Sequence, residues 1–163
     1  MAIYVDGDAC PVRDEVFRVS ARLGLPVRVV SNGSRPVRPS GSPLVETVVV
    51  EAGADAADDW IAERIGRGDV CVTADIPLAA RCLERGARAL SFKGRPWTTD
   101  NIGGAVAGRA VARGLREAGV STGGPAPLTR ADRSRFLSAL DAEAAAAKRD
   151  LAAPSARPWV PFE

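Results

Sequence analysis

Five short apolar runs in this chain alternate with segments of helical periodicity, and this alternation limits the possible folds more than any other feature. A strand, a helix and a further strand normally join parallel neighbours, with the helices packed on the faces of one sheet. The predicted strands are residues 3–5, 27–31, 45–50, 70–73 and 88–92, and the predicted helices begin near residues 12, 56, 76, 102 and 130. We therefore expect an α/β three-layer sandwich with a mostly parallel sheet of about five strands.

The length and composition predict one domain. With 163 residues, 46% of them hydrophobic, the chain has enough apolar side chains for one substantial core. We expect an α/β domain over residues 1–150 and a Pro/Ala-rich tail over residues 151–163. No apolar run approaches the roughly 20 residues that cross a bilayer, and the amino terminus lacks the pattern of a secretion signal. These features predict a cytoplasmic protein without membrane contact.

The chain has no histidine, which excludes histidine-dependent catalysis and histidine-ligated zinc. Its three cysteines, Cys10, Cys71 and Cys82, lack a C-x-x-C spacing and are predicted to be buried free thiols. The net charge of +2 is too small to indicate a nucleic-acid partner by itself. Any chemistry must therefore use carboxylates, whose oxygens suit Mg²⁺ or Mn²⁺.

The first apolar run ends in Asp6-Gly7-Asp8. In open α/β folds, ligands bind at the carboxyl edge of the sheet, which is where this segment is expected. Asp is unfavourable in a strand and costly when buried without a partner, so Asp6 is a functional candidate. Asp8 has an equally good structural explanation as the cap of the next helix, with Pro11 in its first turn.

Two further strand-to-helix junctions carry carboxylates. Asp58 and Asp59 lie in the first turn of the helix predicted over residues 56–65. We expect Asp58 on the face that points inward and Asp59 on the face that points to solvent. Acidic residues in a first turn also complement the helix dipole, which is the alternative for this pair. Asp75 follows the fourth predicted strand and precedes Pro77, a pattern that helix capping alone explains.

Several cations are candidates for contacts with phosphate. Arg35 lies in a Pro/Ser/Gly-rich loop, Lys93 and Arg95 follow the fifth strand together with Trp97, and Arg109 belongs to a basic helix face predicted within residues 102–118. The alternative for each cation is a solvated position on the surface, and for the indole a place on the core.

Four motifs in the chain resemble the YaiI/YqxD family of uncharacterised bacterial proteins. They are Val-Asp-Gly-Asp-Ala-Cys-Pro at 5–11, Ala-Asp-Asp at 57–59, Gly-Asp-Val-Cys-Val-Thr-Ala-Asp-Ile-Pro-Leu-Ala at 68–79 and Thr-Asp-Asn-Ile at 99–102. The resemblance runs from Ile3 to about Asp141. Gly7 departs from it, because an alanine is expected at that position.

That family is similar to PIN-like nuclease domains, which hold Mg²⁺ or Mn²⁺ among acidic residues and cut phosphodiester bonds. The resemblance implies an acidic site formed by Asp6, by Asp58 or Asp59, and by Asp75. Asp8 is a further candidate, and Asn32 is a polar neighbour. We therefore expect a Mg²⁺- or Mn²⁺-dependent ribonuclease. Its expected metal ligands are Asp6, Asp58 and Asp75, its expected catalytic carboxylates are Asp6, Asp8, Asp59 and Asp75, and its expected phosphate or RNA contacts are Asn32, Arg35, Lys93, Arg95 and Arg109.

Within this hypothesis each group has a role. A divalent ion offsets the repulsion between the carboxylates and stabilises charge on phosphate oxygens. Asp8 or Asp59 accepts the proton of the attacking water, and Lys93 or Arg95 holds the scissile phosphate.

Two other functions use the same residues. Asp6-Gly7-Asp8 also resembles the opening of haloacid-dehalogenase-type phosphatases, in which the first Asp is a nucleophile. Against this reading, the chain has no clear separate lysine for the phosphate and no later acidic pair at the expected place, since Lys93 precedes no Asp-Asp pair. The second alternative is a metal-stabilised module that binds RNA or a protein without turnover.

Overall fold

The computed structural model describes residues 1–7, 10–33, 40–51, 53, 55–103 and 127–153. Its strands are β1 (Ile3–Asp6), β2 (Val27–Ser31), β3 (Val45–Val49), β4 (Val70–Val72), β5 (Arg88–Leu90) and β6 (Pro96–Trp97). Its helices are α1 (Arg13–Leu23), α2 (Ala56–Arg64), α3 (Ile76–Glu84) and α4 (Arg130–Ala152). Residues 99–103 are also helical.

The strands form one sheet in the order β3-β2-β1-β4-β5-β6. The first five of these are parallel to their neighbours, and β6 pairs with β5 antiparallel. This arrangement confirms the predicted α/β class and the mostly parallel sheet, and it is consistent with a PIN-like sandwich. The two-residue β6 was not predicted, because its pairing with β5 depends on a tertiary contact that a Pro-containing loop sequence does not reveal.

The two faces of the sheet are covered by different helices. Successive side chains of a strand point to opposite faces, so Val5 of β1 joins one core and Tyr4 joins the other. Val16 of α1 and Phe136 of α4 pack in the core with Val5, while Ile61 of α2 packs in the core with Tyr4. The sheet therefore forms the middle layer of three, as predicted.

The order of the strands creates a topological switch between β1 and β4. The chain runs outward from β1 to β2 and β3 and then returns to β4, which pairs with the other side of β1. Connections that leave neighbouring strands toward opposite faces open a crevice at the carboxyl edge of a parallel sheet. Asp6 ends β1 and Thr73 follows β4, so both lie at this crevice.

Two helices begin where the sequence analysis predicts, and the start of a third differs from its prediction. Asp75 caps α3 with Pro77 inside the first turn, as predicted. Thr129 caps α4, where its Oγ1 accepts from the Asp132 amide and the Asp132 carboxylate accepts from the Thr129 amide, each at 3.0 Å. The placement of Pro11 in the first turn of α1 is wrong, because α1 begins at Arg13 without a side-chain cap.

The three cysteines are buried and free, as predicted. Within the residues given above, no helix is long and apolar enough to cross a bilayer. The domain boundary at residue 150 stays a prediction, since α4 continues to Ala152 and residues 154–163 lie outside the described residues.

Candidate active site

Three elements bring carboxylates to the crevice. Asp6 is the last residue of β1, Asp58 lies in the first turn of α2, and Asp75 caps α3. The pKa of Asp58 is raised from 3.8 to about 7, first by burial and then by the negative charges of Asp75, Asp6 and Asp55. These groups therefore lie close enough to Asp58 for its charge to be disfavoured at neutral pH.

The two neighbouring carboxylates of α2 point in different directions. Asp58 is half-buried, and the adjacent Ala57 is buried against the core. Asp59 is exposed, and its Oδ1 accepts a hydrogen bond from Nη1 of Arg81 at 2.7 Å. The inward and outward faces are therefore those predicted from the helical pattern. The catalytic role of Asp59 stays a prediction, and its carboxylate is engaged by Arg81 in this structure.

Asp75 is held by the loop that follows β4. Its Oδ1 accepts from the Leu78 amide at 2.8 Å, and its own amide donates to Oγ1 of Thr73 at 2.9 Å. Thr73 is fully buried, and its carbonyl accepts from Nε1 of Trp97 at 3.2 Å. The position of this carboxylate is therefore fixed by hydrogen bonds to neighbouring groups on both sides.

Sequence reasoning did not identify Thr73 as a support of the site. The available signal was a threonine two residues before an aspartate at the end of a strand, which is typical of a local side-chain-to-backbone turn. The bond from Trp97 had no signal in the sequence, because the two residues are 24 positions apart.

The end of β2 lies beside the end of β1 at the same edge. The Gly7 amide donates to the carbonyl of Val30 at 2.7 Å, which continues the pairing of the two strands. Asn32 follows β2, and its Nδ2 donates to the carbonyl of Gly53 at 3.4 Å. Asn32 is therefore one strand away from Asp6, and its proposed contact with phosphate stays a prediction.

The donor chemistry of the three carboxylates fits a hard divalent cation, because carboxylate oxygens are the ligands that Mg²⁺ and Mn²⁺ prefer. Their mutual repulsion at Asp58 also fits, since a cation would reverse it. In the described part of the chain, however, no group of three or more acidic or cysteine side chains forms a metal site as it stands.

Cys10 lies near the same edge but is a packing group. Burial raises the pKa of its thiol to about 12, so the thiol stays protonated at neutral pH. A protonated, buried thiol is a poor nucleophile and a poor metal ligand. The prediction that Cys10 is a structural residue agrees with this environment.

Lys93 and Arg95, the two cations after β5, lie in a cleft beside the carboxylates. Lys93 and Arg95 are exposed and line a cleft of about 990 Å³ that also contains Ala74, the residue before Asp75. The structure therefore brings these cations near the loop that carries Asp75. Three further predicted residues, Asp8, Arg35 and Arg109, lie outside the described residues.

Comparison with known proteins gives a consistent assignment. The sequence model of the uncharacterised bacterial YaiI/YqxD family matches residues 4–146. A UPF0178 protein of Rhodospirillum rubrum is 54% identical over 149 residues, which cover 91% of this chain and 99% of that protein. A UPF0178 protein of Parvibaculum lavamentivorans is 56% identical over 147 residues, covering 90% and 95%. No solved structure gives a significant match. The predicted resemblance is confirmed, and this chain belongs to the YaiI/YqxD family.

Proposed function

We propose that this protein is a divalent-metal-dependent nuclease that hydrolyses phosphodiester bonds in RNA. The observation that carries the proposal is the crowding of carboxylates at the β1/β4 crevice, where Asp75 and Asp6 help to raise the pKa of Asp58. Natural proteins retain such mutual repulsion mainly at functional sites, because it costs stability. A divalent cation with Asp6, Asp58 and Asp75 as ligands would remove the repulsion.

The chemistry follows from the groups at this edge. A bound Mg²⁺ or Mn²⁺ would lower the pKa of a water molecule and would stabilise negative charge on phosphate oxygens. Asp75 is already held in place by the Leu78 amide, so it provides a rigid ligand, whereas Asp58 has to lose its proton. Lys93 and Arg95 would bind phosphate by charge. This mechanism needs no histidine, in agreement with the composition.

The proton acceptor in this proposal is Asp8 or Asp59. For Asp59 to act, its ion pair with Arg81 has to open. That pair is exposed to solvent, and exposed pairs contribute only about 0–1 kcal/mol, so the opening costs little. Replacing Asp59 with Asn tests the assignment, because loss of the base slows hydrolysis without abolishing metal binding.

The test is cleavage of end-labelled RNA by purified protein with Mg²⁺, with Mn²⁺ and with a chelator. We expect cleavage only with metal, and its loss in Asp6→Asn and Asp58→Asn. Glu63→Gln is the matched control, because Glu63 is an exposed carboxylate in the last turn of α2, at the opposite end of that helix from Asp58. Equal activity in Asp58→Asn and Glu63→Gln would contradict the proposed site.

The same preparation separates the two alternative functions. A haloacid-type phosphatase would hydrolyse small phosphomonoesters and carry a transient phosphate on Asp6, which mass spectrometry detects. A non-catalytic module would bind RNA with salt-dependent affinity and leave it intact with both metals. Either result would overturn the nuclease proposal.

A further inference from the structure

The cleft beside the carboxylates has a mixed apolar and cationic lining. It lies between the loop after β5, the short strand β6 and the first turns of α4, and its volume is about 990 Å³. Phe92, Trp97 and Leu128 supply apolar surface, and Lys93, Arg95 and Arg135 supply positive charge. Pockets of roughly 300–1,000 Å³ with such a lining are typical of sites for organic ligands.

The charges in the cleft favour an anion. The single acidic residue among the described lining is Asp132, whose Oδ1 accepts from Nη2 of Arg135 at 2.7 Å. The pKa of Asp132 is lowered, mainly by the hydrogen bond that its carboxylate accepts from the Thr129 amide, so this carboxylate already has hydrogen-bond partners. Lys93 and Arg95 are exposed and make no ion pair with any described residue. The cleft therefore retains a positive charge that can bind a ligand.

The cationic loop is held rigidly against α4. Gly94 has φ +82°, and a Cβ atom built on it would lie 2.8 Å from the carbonyl oxygen of Arg135. Only glycine fits such a close approach in the left-handed region. The loop is also closed by a turn, because the Gly94 amide donates to the carbonyl of Ser91, the residue after β5, at 3.1 Å. Lys93 and Arg95 are consequently presented on a preorganised turn.

The aromatic wall of the cleft is connected to the candidate active site. Nε1 of Trp97 donates to the carbonyl of Thr73, and Oγ1 of Thr73 accepts from the amide of Asp75. Ala74, between these two residues, lines the cleft. A ligand seated on Trp97 is therefore next to the loop that positions one of the three carboxylates.

These features match one kind of occupant, a planar apolar group attached to a phosphate. We propose that the cleft binds an unpaired nucleotide of the RNA strand, with its base against Phe92, Trp97 and Leu128 and its phosphate on Lys93 and Arg95. Bases that are unstacked and accessible dock on aromatic side chains, whereas paired bases within a duplex are unavailable for such contacts. The inference rests on the proposed function and adds that the substrate is single-stranded near the cut.

The first experiment measures binding without cleavage. A labelled single-stranded RNA, the same strand in a duplex, and a strand of equal length with abasic sites are titrated with the protein in a chelator. Stacking of one base contributes about 1–3 kcal/mol, so we expect the single strand to bind about 5- to 150-fold more tightly than the abasic strand. Equal affinity for the abasic strand or for the duplex would overturn the inference.

Variants localise the binding to the cleft. In K93Q/R95Q the affinity for the single strand falls, and the slope of log affinity against log salt concentration becomes shallower by about 0.7, the contribution of one phosphate contact on a single strand. K148Q/R149Q removes the same charge from exposed residues near the other end of α4, where a Cβ built on Gly68, before β4, would lie 3.1 Å from Cβ of Leu151. This control is expected to bind RNA like the parent. An equal effect of both double variants would contradict a localised site.

A third variant tests the apolar wall. Leu128 is half-buried beside the cleft, and Leu128→Ala removes apolar surface without changing charge. We expect it to weaken binding of the normal strand and to leave the affinity for the abasic strand unchanged. Equal weakening for both strands would show that Leu128 acts through the fold rather than through the base.

Cleavage assays distinguish failure of this inference from failure of the proposed function. Metal-dependent cleavage of single strands and duplexes at equal rates would overturn the nucleotide cleft and leave the nuclease intact. Cleft-dependent binding of single strands without cleavage in Mg²⁺ or Mn²⁺ would overturn the nuclease and leave the nucleotide cleft intact.

Discussion

The carboxylate of Asp75 accepts a hydrogen bond from the amide of Leu78 at 2.8 Å, so one candidate metal ligand also caps α3. A capping side chain is held in one orientation by the helix that it caps. Asp75 consequently reaches the crevice with little conformational freedom, and binding an ion at this carboxylate costs less entropy than at a mobile side chain.

Asp75→Asn separates the two roles of this residue. Asparagine retains the capping acceptor, so we expect the variant to fold with at most a small loss of stability, while Asp75→Ala loses about 0.5–2 kcal/mol. We expect Mn²⁺ to raise the melting temperature of the parent, and because Asn and Ala lack the charge, this rise should disappear in both variants. Thermal unfolding with and without Mn²⁺ measures this, and an unchanged Mn²⁺ shift in Asp75→Asn would return Asp75 to a purely structural role.

The raised pKa of Asp58 predicts a pH dependence of stability. Its folded-state pKa of about 7 lies above the ordinary 3.8, so its contribution to stability is complete below about pH 4 and is lost as pH rises through 7. Asp58→Asn remains neutral, and we expect it to be more stable than the parent at pH 8 by about 1 kcal/mol after allowance for solvent screening. At pH 4 the two proteins should have nearly equal unfolding free energies in urea.

Asp59→Asn is the control for this pH series. Asp59 is exposed and paired with Arg81, so its replacement should leave the pH dependence of the parent in place. The parent should also bind Mn²⁺ more strongly as pH rises through 7, because Asp58 has to release a proton. Identical pH profiles for Asp58→Asn and the parent would contradict the assigned burial and repulsion.

Gly7, where the family resemblance predicts alanine, is packed too tightly for a methyl group. A Cβ built on Gly7 would lie 2.7 Å from Cγ1 of Val29 and 3.1 Å from the Val30 carbonyl oxygen. We therefore expect Gly7→Ala to destabilise the protein by about 1–3 kcal/mol. Combining it with Val29→Ala should cost less than the sum of the two single changes, since the second change removes the clash. A double-mutant cycle in urea measures the coupling, and strict additivity would be inconsistent with the contact.

Arg88 ties the start of β5 to the end of α4. Its Nε donates to Oδ2 of Asp150 at 2.7 Å, and its Nη1 donates to Glu143 at 3.1 Å. Glu143 is largely buried, so Arg88→Gln should cost about 1–3 kcal/mol, because it leaves an acidic group without its partner. Arg22, which pairs with Asp141 on the surface, is the matched control, and Arg22→Gln should cost less than about 1 kcal/mol. Equal losses in urea unfolding would show that burial does not distinguish the two pairs.

The predictability of each element followed the range of the interactions that form it. The strand β2 and the start of α2 agree with the structure, because alternation and helical spacing are local properties. The start of α4 near residue 130 also agrees, and it depends on a local contact, since the cap Thr129 bonds to Asp132 three residues away. The pairing of β6 and the bond from Trp97 to Thr73 were not predicted, because they join residues that are distant in the chain.

The sequence by itself determined the α/β class, the family and the three strand-to-helix junctions that carry Asp6, Asp58 and Asp75. These depend on local patterning and on motifs, both of which can be recognised from the order of the residues. Only the tertiary structure decided that Asp58 is repelled by Asp75 and Asp6, and that Lys93 and Arg95 share a cleft with Trp97 beside them. The physical reason is that electrostatic repulsion and cleft shape depend on distances between separate elements, and those distances are set by packing against the two faces of the sheet.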